Sequence, residues 1–146
     1  MTNTVKFRER IQTAHQQMLA VSEPESQRPF REGGWSRKEI LGHLIDSALN
    51  NHQRFVRAAL EGSYVGPSYH QQGWVAMHGY KTMPWKDLLH HWSQQNELLA
   101  AVVDRIPQDR LDVQCSVGEY APMTLQALVE DYLVHLEQHV QQIAAP

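Results

Sequence analysis

The 146-residue chain holds one cysteine, Cys115, which excludes an internal disulfide and any zinc site built from paired cysteines. Basic excess is missing too. Lysine and arginine number 13 against 16 acidic residues, and the net charge of -3 argues against DNA or RNA as a partner. No apolar run approaches the roughly 18 residues of a membrane span, and the opening MTNTVKFRER has no apolar signal core, so a cytoplasmic protein without a membrane partner is expected. Strand-like alternation is scarce as well. What the chain does contain is 42% hydrophobic and 20% charged residues, outside the composition of disordered chains. Its length suffices to bury a core without disulfide or metal staples, so one domain over residues 1–146 is the expectation.

Glycine and proline gather in three stretches, SEPESQRPFREGGWS, EGSYVGPSYHQQGW and IPQDRLDVQCSVGEYAPM, and they separate four segments of helical period. Phe7, Ile11, Ala14, Met18 and Val21 mark one face of a first helix. Ser36 followed by Glu39 is a capping box opening a second helix, which Gly62 can end in a left-handed conformation. A third helix begins near Pro84 and carries Trp85, Leu88, Leu89, Trp92, Leu99, Val102, Val103 and Ile106. A fourth follows Thr124, with Leu125, Leu128, Val129, Tyr132, Leu136, Val140 and Ile143. Four such helices predict an all-α four-helix bundle. The segment from Ser63 to Thr82 is far longer than the usual connection of about 2–8 residues, so it reads as a crossover between helices two and three. Its Tyr64, Tyr69, Trp74 and Tyr80 suit either a pocket wall or a packed surface loop.

Nine histidines are present, enough to give about half a pair at spacing four by chance, so the spacing of His135 and His139 is not informative by itself. Their place on the fourth helix is. With ~100° per residue both border the apolar arc, pointing one turn apart into the same space, as paired ligands do in bundle cores. Two core-edge histidines bonded to carbonyls fit the pattern equally well. A third ligand has to come from another helix. On the second helix the wheel puts His43 just outside an unusually wide apolar arc, on a stripe with Ser47, Asn50 and Arg54, and puts His52 inside that arc. The width of the arc suggests two apolar neighbours, one of them a partner subunit, and hence a homodimer.

The run GGWSRKEILGHLIDSALNNHQRFVRAAL, then GWVAMHGY, PWKDLLHHW and MTLQALVEDYLVHLEQHVQQI, resembles the DinB/YfiT-like superfamily over nearly the whole chain from Trp35 onward. The GHL of the second helix and the H-x3-H of the fourth are its most specific elements. The resemblance implies a four-helix bundle holding a divalent metal on three histidines, and by position these are His43, His135 and His139. It thereby chooses His43 over His52.

Three neutral imidazoles leave a divalent ion its charge and an open position, the catalytic arrangement. Two reaction classes follow: hydrolysis of a small molecule, or transfer and isomerisation with a low-molecular-weight thiol. A non-catalytic dimerisation or small-molecule-binding module, its metal structural or absent, is the alternative. Zinc is the first expectation, with nickel and iron behind it. Asp131, one turn before His135, is a candidate general base or a solvated helix charge. Trp35, Ser47, Asn50, Arg54 and Trp74 are candidates for the substrate pocket. Cys115 reads as incidental in a distant loop, and the adjacent His90 and His91 diverge too far to act as a ligand pair.

Overall fold

In the computed structural model, which describes residues 2–146 with side chains from residue 6 onward, the elements follow in this order. They are α1 (Thr2–Leu19), the single-turn α2 (Glu23–Ser26), α3 (Arg37–Glu61), the strand β1 (Tyr64–Gly66), α4 (Gln71–His78), α5 (Trp85–Arg105), the strands β2 (Gln114–Val117) and β3 (Met123–Thr124), and α6 (Leu125–Ala144). Local chemistry sets the helix ends. Ser36 Oγ accepts from the Glu39 amide at 3.2 Å while Glu39 Oε1 accepts from the Ser36 amide at 3.0 Å, and Gly62 closes α3 at φ 84°. Thr124 caps α6 in the same way, taking the Ala127 amide at 3.0 Å. Each such cap contributes about 1 kcal/mol, so the ends of the two site-bearing helices are well determined.

The long helices α1, α3, α5 and α6 form the bundle, and α3 packs on α5 and α6 while α1 packs on the same two. Helices α1 and α3 are therefore diagonal, as are α5 and α6. Side-chain pairs give the directions. Arg37 meets Ile143 and His43 meets His139, so α3 and α6 are antiparallel. Lys38 and the start of α5 share Glu23, and Ile45 meets Gln95, so α3 and α5 are parallel. Parallel neighbours require the chain to travel back along the bundle between them. That return is the long crossover.

The connections hold elements that the sequence reading did not place. The crossover is an ordered wall, with β1, α4 and a 3-10 turn at Tyr80–Thr82. Strands are also present: β1 pairs in parallel with β2, and β2 pairs antiparallel with β3, making a three-stranded sheet from the two connections. Segments of two to four residues are too short to display alternation, and β1 and β2 pair across about fifty residues, which a local pattern does not encode. Much of the wide apolar arc of α3 is covered within the chain. Ile40, Leu41, Leu44, Ile45, Ala48, Phe55 and Ala58 are all buried, because α3 has neighbours on two sides, while Leu49 and Leu60 remain exposed. Among the described residues no helix is long and apolar enough to cross a membrane.

Candidate metal centre

Antiparallel packing brings the first turns of α3 against the last half of α6, and three imidazoles meet there. His43 and His135 face each other through their Nε2 atoms at 3.2 Å, and one ligand nitrogen from each of His43, His135 and His139 falls within 4.8 Å of the others. A zinc–nitrogen bond of about 2.0–2.1 Å puts neighbouring tetrahedral ligands ~3.3 Å apart, so the cluster suits a divalent ion with little adjustment. His43, exposed by the wheel, is only 1% exposed in the fold. The His43 end of the polar stripe faces α6 rather than water.

Burial also settles the charge. It pushes His43 down to about 3, with His135 and His139 adding to the effect. His135 is lowered for the same reason and by His139, while the Asp131 carboxylate pulls the other way. Neutral rings keep the lone pairs that a metal needs. The amide oxygen of Gln142 can only accept, so at 2.9 Å it takes the Nδ1 proton of His139 and leaves Nε2 free for a metal. The buried Nδ1 of His43 has no protein partner, and the Trp35 ring lies over the same imidazole at 5.1 Å. Trp35 thus stands beside the histidine cluster and does not line the cavity next to it. His52 is half-buried on α3 outside the cluster, and His90 and His91 are exposed.

Beside His135 opens a cavity of about 350 Å³ between α3, α6, the crossover and the sheet. Ser47 and Arg54, the pocket candidates, line it, and so does Asp131, the candidate general base, which stands exposed at its edge with no hydrogen bond to a histidine. Asn50 does not line it. Its amide bonds the Asp46 carbonyl at 2.9 Å and faces an outer groove, while Asn51 takes the inner position. The cavity lies to one side of the His43 stripe, and at ~100° per residue Asn51 turns toward it and Asn50 away. Trp74 is one layer out, packed on Tyr69 at 5.2 Å, and Tyr69 is the ring that reaches the cavity. Cys115 needs correcting as well. It is on β2, 1% exposed, and lines the same cavity, because the sheet folds the second connection against the site. Burial raises its thiol, so it stays protonated and unreactive.

The sequence reading missed a buried carboxylate one turn after His43. Asp46 is 0% exposed, accepts from the Tyr80 hydroxyl at 2.6 Å and lies 2.9 Å from Nδ1 of His78. Burial raises its pKa, and the Tyr80 and His78 contacts oppose that rise. This clasp fastens the crossover to α3. The glycine of GHL has its reason here: a Cβ at Gly42 would sit 2.0 Å from Cδ2 of Tyr80, so the ring can lie against α3 only where a side chain is missing. The signal was present in the sequence as GWVAMHGY, but nothing local links it to Asp46.

Comparison with known proteins agrees with this geometry. OB0413 of Oceanobacillus iheyensis, provisionally named a metal-dependent hydrolase, is 23% identical over 124 residues, covering 85% of this chain and 71% of the relative. A Bacillus licheniformis protein named in the same provisional way is 24% identical over 132 residues, covering 86% of this chain and 72% of its own length. The fold matches that of YfiT from Bacillus subtilis, described as a probable metal-dependent hydrolase with an unusual four-helix bundle topology, at a TM-score of 0.82 and 18% identity. That match covers 96% of this chain and 83% of the other. A mycothiol-dependent maleylpyruvate isomerase matches at a TM-score of 0.80 and 14% identity, over 96% of this chain but 58% of its own. Residues 6–143 match the sequence profile of the DinB superfamily, and the chain belongs to that family.

Proposed function

We propose that the protein is a metal-dependent enzyme that holds one divalent ion on His43, His135 and His139 and hydrolyses a small molecule admitted to the adjoining cavity. The observation that carries this reading is the convergence of three imidazoles from two helices, two of them held neutral by burial, at the edge of that cavity. When bound, a divalent ion on three neutral ligands supplies Lewis acidity and makes a nucleophile available near pH 7. The chain's own residues do the rest. Gln142 fixes the tautomer of His139, and Trp35 shields one face of His43 from water. Asp131, whose carboxylate is felt at His135, is the candidate to accept the proton that an attacking nucleophile gives up. Ser47 and Asn51 offer polar groups to orient the substrate. Zinc is the ion expected first, ahead of nickel and iron.

Thiol-dependent transfer is the second reading, supported by the fold shared with a mycothiol-dependent isomerase. Elemental analysis of untagged protein tests the metal site. About one ion per chain is expected, falling to little in His43→Ala, His135→Ala and His139→Ala; full occupancy in all three variants would sink the proposal. With cobalt in place of the native ion, a spectrum that shifts on adding a small thiol favours transfer, whereas turnover of ester or amide probes without thiol favours hydrolysis.

A further inference from the structure

The described part of the chain buries three cations deeply, and two of them are fully accounted for. Arg37, 5% exposed, gives its donors to four backbone carbonyls, and Lys38, 3% exposed, lies 2.7 Å from a Glu23 carboxylate. Arg54 differs. It is 7% exposed, its one hydrogen bond is a long 3.4 Å contact from Nη2 to the Pro67 carbonyl, and its guanidinium otherwise rests 5.9 Å from the centre of the Tyr69 ring. Among the described residues it has no ion pair. A guanidinium does not lose its charge at physiological pH, so burying one without a counter-anion is costly, and such a site is incomplete. Its remaining donors are not sealed inside protein: Arg54 lines the cavity that also holds His135 and borders two outer grooves.

We infer that Arg54 is the recognition group for a carboxylate on the substrate, which it grips at one end of the cavity while the reacting group lies toward His135. This deepens the proposed function and rests on it only for which end of the molecule reacts. Charge selects carboxylate over phosphate. The lining offers one cation and Asp131 sets a negative charge against it, so each further negative charge on the ligand is opposed and a monoanion is favoured over a dianion. A planar guanidinium with free edges also matches a carboxylate in a two-bond fork. Geometry bounds the length. Eleven residues of helix separate His43 from Arg54, about 16 Å along the axis, and an arginine side chain leans back toward the helix N-terminus, leaving ~10 Å between the two ends. The fitting substrate is an extended aliphatic or aromatic carboxylate whose labile bond lies several atoms from the carboxylate.

The test uses the full chain treated with chelator, so that no metal competes for the probe. Hexanoate, hexanamide and hexyl phosphate are titrated while the Nε–H signal of Arg54 is followed by nitrogen-15 NMR. Hexanoate is expected to bind in a saturable one-to-one fashion, to move that signal, and to bind at least tenfold more tightly than hexanamide. Arg54→Gln should lose this preference and Arg54→Lys should keep part of it. Equal binding of hexanoate and hexanamide by the native chain, or an unmoved Arg54 signal, overturns the inference even if Arg54→Gln does not fold. Tighter binding of hexyl phosphate than of hexanoate overturns the choice of carboxylate. The histidine variants separate the two proposals: hexanoate binding retained while His43→Ala, His135→Ala and His139→Ala all still take up a full complement of metal refutes the metal centre and leaves Arg54 standing.

Discussion

Replacing Gly42 by alanine should destabilise the protein, although the same change in an ordinary helix interior is worth up to about 1 kcal/mol in its favour. The reason is the Tyr80 ring, which is 5% exposed and packed against the glycine. An added Cβ would lie 2.0 Å from Cδ2, 2.4 Å from Cγ and 2.5 Å from Cε2, against an optimum of about 3.5–4.0 Å between carbons. The ring must retreat by roughly 1.5 Å. Such a shift breaks the 2.6 Å bond from the Tyr80 hydroxyl to Asp46, a carboxylate whose other oxygen already has no partner. Overpacking costs about 1–3 kcal/mol and a lost bond to a charged group about 1.5–3, so a net loss of about 2–4 kcal/mol remains after the helix gain. Urea unfolding followed by circular dichroism measures it, with Tyr80→Ala as the second arm of a double-mutant cycle. In the Tyr80→Ala background the sign should reverse and Gly42→Ala should stabilise. A native-like or raised stability for Gly42→Ala alone, or the same cost in both backgrounds, would refute the packing argument.

Acid should weaken the chelator-treated protein through its buried histidines. Since His43 is lowered to about 3 in the fold from about 6.5 in the unfolded chain, the unfolded state alone takes up a proton below pH 6.5. Its contribution is fully present above that pH and is lost toward pH 3, at up to about 1.4 kcal/mol per unit, with His135 adding in the same direction. Asp46, raised by burial, acts in the opposite sense, so the native chain is compared with His43→Asn at pH 7, 6 and 5; equal slopes in the two proteins would count against the assignment. Arg37→Met should cost about 2–4 kcal/mol, because Nε and Nη2 hold the Ile143 and Ala145 carbonyls at 3.1 and 3.0 Å and Nη1 holds two more. Faster hydrogen exchange over residues 140–145 should accompany that loss, and unchanged exchange there would contradict the capping role.

Helices were legible from the chain because their determinants are local. The Ser36–Glu39 box, the Gly62 end and the Thr124 cap act within one turn, and apolar periodicity over twenty residues leaves few alternatives. The same periodicity put His135 and His139 at the core edge. It did not put His43 there, since a polar stripe on α3 looks solvent-facing until α6 is packed against it, and only the family motif chose that histidine. The strands β1 and β2, the cavity they close, the arrival of Cys115 at its wall and the choice of Asn51 over Asn50 depend on contacts between segments far apart in the chain. So does the state of charge. Arg54 fits a pocket residue and a surface cation equally well in the sequence, and Asp46 carries no signal there, until burial removes the water that would have satisfied them. What the sequence determined by itself was the four helices, their caps and the histidine pair of α6, because each follows from interactions a few residues long. What only the tertiary structure decided was which polar side chains lose solvent, because that depends on every element packed around them.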